Sequence, residues 1–298
     1  MMLRVLSFAA LCSLASAQDF AGDMPISRVL IDGQGWQLVS EGHQFTEGPA
    51  VDREGNVYFS DIPANRIHKV DLAGKVTLFA ENTAATNGLM FGADGRLYGC
   101  RNGEKKIVAY AMDGTISTLA ENVESNDLVV NAAGEIWFSD PKGGKVWHIP
   151  VGGAAKTAAE GLKPNGLILS PDQGTLFVTD STEPVLWAFR VQADGSLTHK
   201  DRYCQPLRMV EGKAGTGADG MTVDKAGRIY VCTRAGLQMF DPTGRLGGVI
   251  AKPQEKSLSN VVFGGSEFAY LYVTCTDKVY RRKTKSPGEP YFLHAKPK

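Results

Sequence analysis

The stretch Phe45-Thr46-Glu47-Gly48-Pro49-Ala50-Val51-Asp52, with Gly55 and the run Val57-Tyr58-Phe59-Ser60-Asp61 behind it, is a template that the chain repeats. Aligned on Glu47, the layout returns at Asn87, Asn126, Asn165, Asp219 and Asn260, at intervals of 40, 39, 39, 54 and 41 residues. The long fourth interval implies one insertion between Thr198 and Ala218. Each copy opens on a carboxylate or carboxamide and continues as an apolar run. In the first five it then turns at a glycine (Gly55, Gly95, Gly134, Gly174, Gly227) and returns as a second apolar run, whereas the sixth carries Gly264-Gly265. A period near 40 made of short strands and turns marks a β-propeller with one four-stranded blade per copy, so the expected fold is all-β with six blades.

An apolar run, a tight turn and another apolar run read as an antiparallel hairpin, which brings the second strand back to the rim where the first began. Two rings of side chains therefore share one mouth. The first is Glu47, Asn87, Asn126, Asn165, Asp219 and Asn260, and the second is Asp61, Arg101, Asp140, Asp180 and Thr233. With the first strand of each blade innermost, the first ring faces the central axis.

The sixth copy shows three runs, 260–263, 271–276 and 278–282, before Pro287 and Pro290 break the pattern. A sheet lacking its outer strand leaves backbone groups unpaired along an edge. The run Trp36-Gln37-Leu38-Val39-Ser40 is placed to supply that strand, so an N-terminal strand is expected to close the ring in the last blade.

Residues 1–17 hold one Arg, an apolar run from Val5 to Leu14 and the small-residue pattern Ala15-Ser16-Ala17, which reads as a secretory signal peptide. The expectation is a secreted or periplasmic protein whose residues 18–298 form one domain, since the repeat leaves no linker. No later stretch approaches the roughly 20 apolar residues of a membrane span. With 32 basic and 32 acidic residues the chain is formally neutral and lacks the charge footprint of a nucleic-acid or anionic-membrane binder. The 34 Gly and 14 Pro suit many hairpins. Cys100, Cys204, Cys232 and Cys275 remain after the leader, either as small buried side chains or with a bridge such as Cys232 to Cys275 between neighbouring blades. No Cys-x-x-Cys or close Cys/His pair suggests zinc.

The first ring offers charged oxygens from Glu47 and Asp219 and neutral ones from Asn126 and Asn165, with no thiol or imidazole at an equivalent position. Hard oxygen donors of mixed charge suit Ca²⁺, with other divalent cations as alternatives. Without a cation, two carboxylates facing one narrow channel raise the pKa of at least one of them. The opposing reading is that Asn-Gly and Asp-Gly pairs merely form turns.

Glu47-Gly48-Pro49, Asn87-Gly88-Leu89, Asn126-Asp127, Trp137-Phe138-Ser139-Asp140-Pro141, Pro164-Asn165-Gly166-Leu167, Asp219-Gly220-Met221 and Phe263-Gly264-Gly265 together resemble the senescence marker protein 30, gluconolactonase and luciferin-regenerating enzyme family, from Phe45 to about Arg282. The resemblance implies a divalent cation, commonly Ca²⁺, at Glu47, Asn165 and Asp219, with Asn126 ligating it or touching substrate. It further implies hydrolysis of a small-molecule lactone, with Asp219 as the base, and Asn87, Asn126 and Arg101 as substrate contacts. Two positions depart from relatives: Val262 stands where phosphotriesterase relatives carry a catalytic His, and Glu124 replaces the Arg two residues before the third-blade Asn of animal proteins. No Gly-x-Ser-x-Gly elbow supports a serine hydrolase, and none of the five His lies on either ring. The alternatives are a metal-dependent sugar lyase or isomerase on the same site, and a non-catalytic propeller binding carbohydrate or protein. Residues 203–217, in the long interval, are expected to form a lid beside the mouth.

Overall fold

The computed structural model describes residues 25–295, so the signal-peptide expectation lies outside them. These residues form six four-stranded antiparallel sheets. Five are continuous in sequence, spanning residues 46–81, 86–121, 128–160, 164–203 and 221–250, in strand order from the axis outward. The sixth is composite: Asn260–Gly264, Tyr270–Cys275 and Lys278–Lys283 are completed by Gln37–Glu41. That outer strand pairs Gln37 with Arg281, Leu38 with Tyr280 and Glu41 with Lys278, as the three-run sixth copy required.

Burial follows position within the blade. Thr46–Val51 and Val57–Asp61, the first two strands of blade one, are buried along their whole length, while the outer Val76–Glu81 is half-exposed. The core is therefore a set of apolar layers between neighbouring blades. Tyr58, Trp137, Tyr230 and Tyr272 are among its largest fully buried side chains. Among the described residues no helix is long and apolar enough to cross a membrane.

Because strands alternate in direction, every first strand starts at the mouth and every fourth strand ends there. All connections between blades, including residues 204–220, consequently lie on the mouth face. Leu207 N–H donates to the Pro184 carbonyl, and Gln238 exchanges hydrogen bonds with Arg208, which pins this long connection to blades four and five. At the opposite end the chain doubles back beneath the axis. Tyr291 donates its hydroxyl to the Leu169 carbonyl at 2.5 Å, and Tyr291 and Phe292 border an apolar cavity of about 50 Å³ under the inner strands.

Innermost strands of adjacent blades approach so closely that a side chain has no room at certain positions. A Cβ on Gly166 would lie 2.4 Å from the Asp219 carbonyl oxygen and 2.6 Å from the Gly220 Cα, both backbone atoms that cannot swing aside. Gly166→Ala is therefore expected to lower stability by about 1–3 kcal/mol, the usual cost of overpacking, as read by denaturant unfolding.

Candidate functional site

Each inner strand carries a β-bulge at the template position, where two residues oppose one on the next strand. In blade five the Asp219 N–H donates to the Cys232 carbonyl, while the Cys232 N–H returns to Gly220. In blade three Asn126 and Asp127 share Ser139 in the same way. The register slips correspondingly between Glu47 and Ala50, between Thr86 and Leu89 and between Pro164 and Leu167. Bulges re-aim side chains, and here they turn the template residues inward from the sheet plane.

Blade six corrects the alignment read from the sequence. Its bulge pair is Ser259-Asn260: the Ser259 N–H donates to the Thr274 carbonyl, and Asn260 sits opposite Thr274. Asn260 thus occupies the second bulge position, equivalent to Gly48, Gly166 and Gly220, and not the first-ring position it was assigned. Asp127 shares that second position, and both side chains accept a hydrogen bond from the following backbone N–H, Leu128 at 2.9 Å and Val261 at 2.8 Å. The glycines supply the room. A Cβ on Gly88 would lie 2.4 Å from Asp127 Oδ1, and one on Gly220 would lie 1.9 Å from Asn260 Cγ.

Asp127 is the functional candidate that sequence reasoning missed. Its signal was available: it is an acid in the slot that four other copies fill with glycine. The Asn260 side-chain amide bridges it to the first ring, donating to Asp127 Oδ2 at 3.1 Å and to Glu47 Oε2 at 3.2 Å. Glu47 Oε2 also accepts from the Gly48 N–H at 2.6 Å. Across the axis the Asn165 amide faces the Asp219 carboxylate and favours its charged form, and Glu47 and Asp127 lie close enough to repel it.

The channel thus holds three carboxyl groups. Burial first, and then the Asp127 charge, push the Glu47 carboxyl up to about 8. Burial raises Asp127 to about 6, against hydrogen bonds from Leu128 and Asn260 that favour its charged form. Burial, then Glu47, then Asp127, drive Asp219 well above the carboxylate range. Asn165 Oδ1 is buried without a hydrogen-bond partner. An orphaned carbonyl oxygen among carboxylates that repel one another is a donor set that a hard divalent cation satisfies. Glu47, Asn165 and Asp219 supply the inward oxygens, with Asp127 beside them. The buried thiols do not compete, because burial holds Cys100 and Cys232 well above their ordinary range. All four described cysteines are free, including Cys232 and Cys275.

Asn87 is buried and shares the first bulge position with Asn126, whose own backbone joins blades two and three through the Gly88 N–H. Arg101 is not brought to this cluster. Its guanidinium is paired with Glu104 at 2.9 Å and donates to the Asn82 carbonyl and the Tyr110 hydroxyl. Two of the second-ring acids, Asp140 and Asp180, are structural. Asp140 accepts from the Gly143 N–H and the Trp147 indole, and Asp180 accepts from Lys163, Thr182, Glu183 and the Trp187 indole.

Known proteins resemble this chain in sequence and in fold. Gluconolactonase from Zymomonas mobilis is 27% identical over 293 residues, covering 85% of this chain and 82% of its own. The structure of a gluconolactonase from Xanthomonas campestris superposes with a TM-score of 0.77 at 26% identity, over 87% of this chain and 92% of that one. A calcium-binding protein, regucalcin, from Agrobacterium tumefaciens has the same fold, with a TM-score of 0.73 at 18% identity over 87% and 97% of the two chains. The model of the SMP-30/gluconolactonase/LRE-like region matches residues 45–277, and the chain belongs to that family.

Proposed function

We propose that this protein is a divalent-cation-dependent lactonase, with Ca²⁺ as the ion and a sugar lactone as the substrate. The observation that carries the reading is the inward set of Glu47, Asp127, Asn165 and Asp219, in which raised carboxyls surround a buried, unpartnered amide oxygen. A lactonase reading also agrees with the gluconolactonase relatives. A bound divalent ion supplies Lewis-acid polarisation of a carbonyl and acidifies a water.

The chain's own groups do the rest. Asn260 holds Glu47 Oε2 and Asp127 Oδ2 on one amide, fixing two acids that would otherwise swing apart. Asp219, beside the Asn165 amide, takes the proton from the attacking water. Asn87 and Asn126, on the mouth side of the same bulges, present amides to the substrate's carbonyl or hydroxyl oxygens. Arg101 contributes only by releasing Glu104, so its effect on turnover is smaller than theirs. The long connection ending at Asp219 covers the same face and bounds the size of lactone admitted.

Acid release from a panel of aldonolactones, followed with a pH indicator, tests the reading. Turnover should appear with Ca²⁺, vanish with chelator, and fall by about 10²–10³ in Glu47→Gln, the scale of losing one preorganised electrostatic group. Absence of turnover on every lactone with the cation present would transfer the site to a lyase or binding role.

Proton linkage gives a second check. A carboxyl whose folded pKa is raised stabilises the fold below its unfolded value and loses that contribution as pH rises through the folded one. In chelator, Tm is therefore expected to decline between pH 4.5 and about 8, the window set by Glu47. Ca²⁺ should flatten that decline and release protons on binding, measured by calorimetry in buffers of different ionisation heat. A Tm in chelator that climbs across the same window would contradict the raised carboxyls.

Export belongs to the same proposal, motivated by the leader pattern of residues 1–17. Mass spectrometry of the protein from its native host should find the mature N-terminus at Gln18, and an intact Met1 would refute export.

A further inference from the structure

A second cluster of metal-binding groups lies at the rim of blade one, away from the axis. His43 comes from the connection that follows the ring-closing strand, Asp61 from the end of the second strand of blade one, and His68 from its third strand. One ligand atom from each falls within 4.8 Å of the others, and His43 Nδ1 is 3.5 Å from Asp61 Oδ2.

Two other blades show what this position does by default. Seven residues after the second-strand acid, blades three and four place a tryptophan whose indole N–H donates to that acid, Trp147 to Asp140 at 3.2 Å and Trp187 to Asp180 at 2.9 Å. Blade one carries Asp61 and, seven residues on, His68. An indole N–H can only donate, whereas a neutral imidazole also offers a lone pair. His43 brings a second imidazole to the same carboxylate.

The three groups are held in place. His68 stacks on Phe59 with centroids 5.2 Å apart, and His43 meets the Phe59 edge at 5.0 Å and His68 at 4.9 Å. Asp61 Oδ1 accepts from the Phe45 N–H at 3.0 Å, and both of its oxygens lie 3.2 Å from the Gln44 nitrogen. Ser40 Oγ lies 2.6 Å from His43 Nε2, and with the hydroxyl accepting from Nε2–H the Nδ1 lone pair facing Asp61 is left for a metal. Burial lowers the pKa of both histidines, which keeps them neutral.

We infer that His43, Asp61 and His68 form a second metal site, for a borderline divalent ion of the Zn²⁺ class, that clips the ring-closing segment to blade one. Two nitrogens and one carboxylate oxygen are the donors such ions take, in contrast to the all-oxygen axial set. Ligands about 2.0–2.1 Å from a tetrahedral ion stand roughly 3.3 Å apart, so the His43–Asp61 separation already fits and no other gap needs to close by more than about 1.5 Å of side-chain rotation. A Ser-His-Asp nucleophile is the weaker reading, because 3.5 Å is too long for the orienting hydrogen bond that such a triad needs.

The test uses full-length protein stripped with chelator, reloaded with saturating Ca²⁺ to occupy the axis, and titrated with Co²⁺ as a spectroscopic probe. One equivalent should bind with the visible absorption of a low-coordinate ion, and Zn²⁺ should displace it and raise Tm. His68→Phe, which keeps the stack on Phe59, and His43→Gln should each abolish that uptake, while Glu47→Gln should leave it intact. If His68→Phe fails to fold, His43→Gln decides alone. Absence of Co²⁺ uptake by the wild-type protein, or uptake that survives in the folded histidine variants, would overturn the inference.

Discussion

Burying like charges is costly unless something of opposite sign or a proton intervenes, and this molecule places Glu47, Asp127 and Asp219 in one narrow channel. The rest of the architecture can be understood as what makes that placement possible. Six bulges turn the inner-strand side chains toward a common axis, glycines at the second bulge position clear space, and Asn260 ties two of the acids together. Two acids of the second ring are stabilising where the axial ones repel one another. Asp140 and Asp180 meet backbone and indole donors, whereas the axial acids, beside the donors they do have, meet one another and an amide oxygen with no donor of its own.

The six-fold repeat was legible because its period, its turn glycines and its paired apolar runs all point to the same hairpin unit. The closing strand was legible for a related reason: three runs in the last copy cannot cover a blade edge, and one surplus run precedes Glu47. What the spacing could not convey is the bulge. With two residues opposite one, adjacent positions point to different places, and a one-residue difference in blade six passes unnoticed. Asn260 therefore takes the other position of the pair from the one the spacing assigns, and Asp127, next to the aligned Asn126, receives no role from the spacing. Arg101 shows a different limit, since its partners Glu104, Asn82 and Tyr110 come from outside the repeat template.

The histidines illustrate the same limit from the other side. His43 and His68 belong to neither ring, so a reading organised around the axis passes over them. Only the fold brings a residue from the connection after the first strand against the second and third strands of blade one. The regular use of tryptophan at the equivalent place in blades three and four then gives His68 its meaning.

The composite sixth blade joins the earliest and latest parts of the propeller in one sheet. Asn260, which holds Glu47 and Asp127 together, lies in that same sheet, on its innermost strand. A nascent chain halted before residue 260 would have most of the ring's blades and neither the amide bridge nor the partner for its first strand. Completion of the channel and closure of the circle are thus one event, and no form halted before residue 260 carries an assembled site.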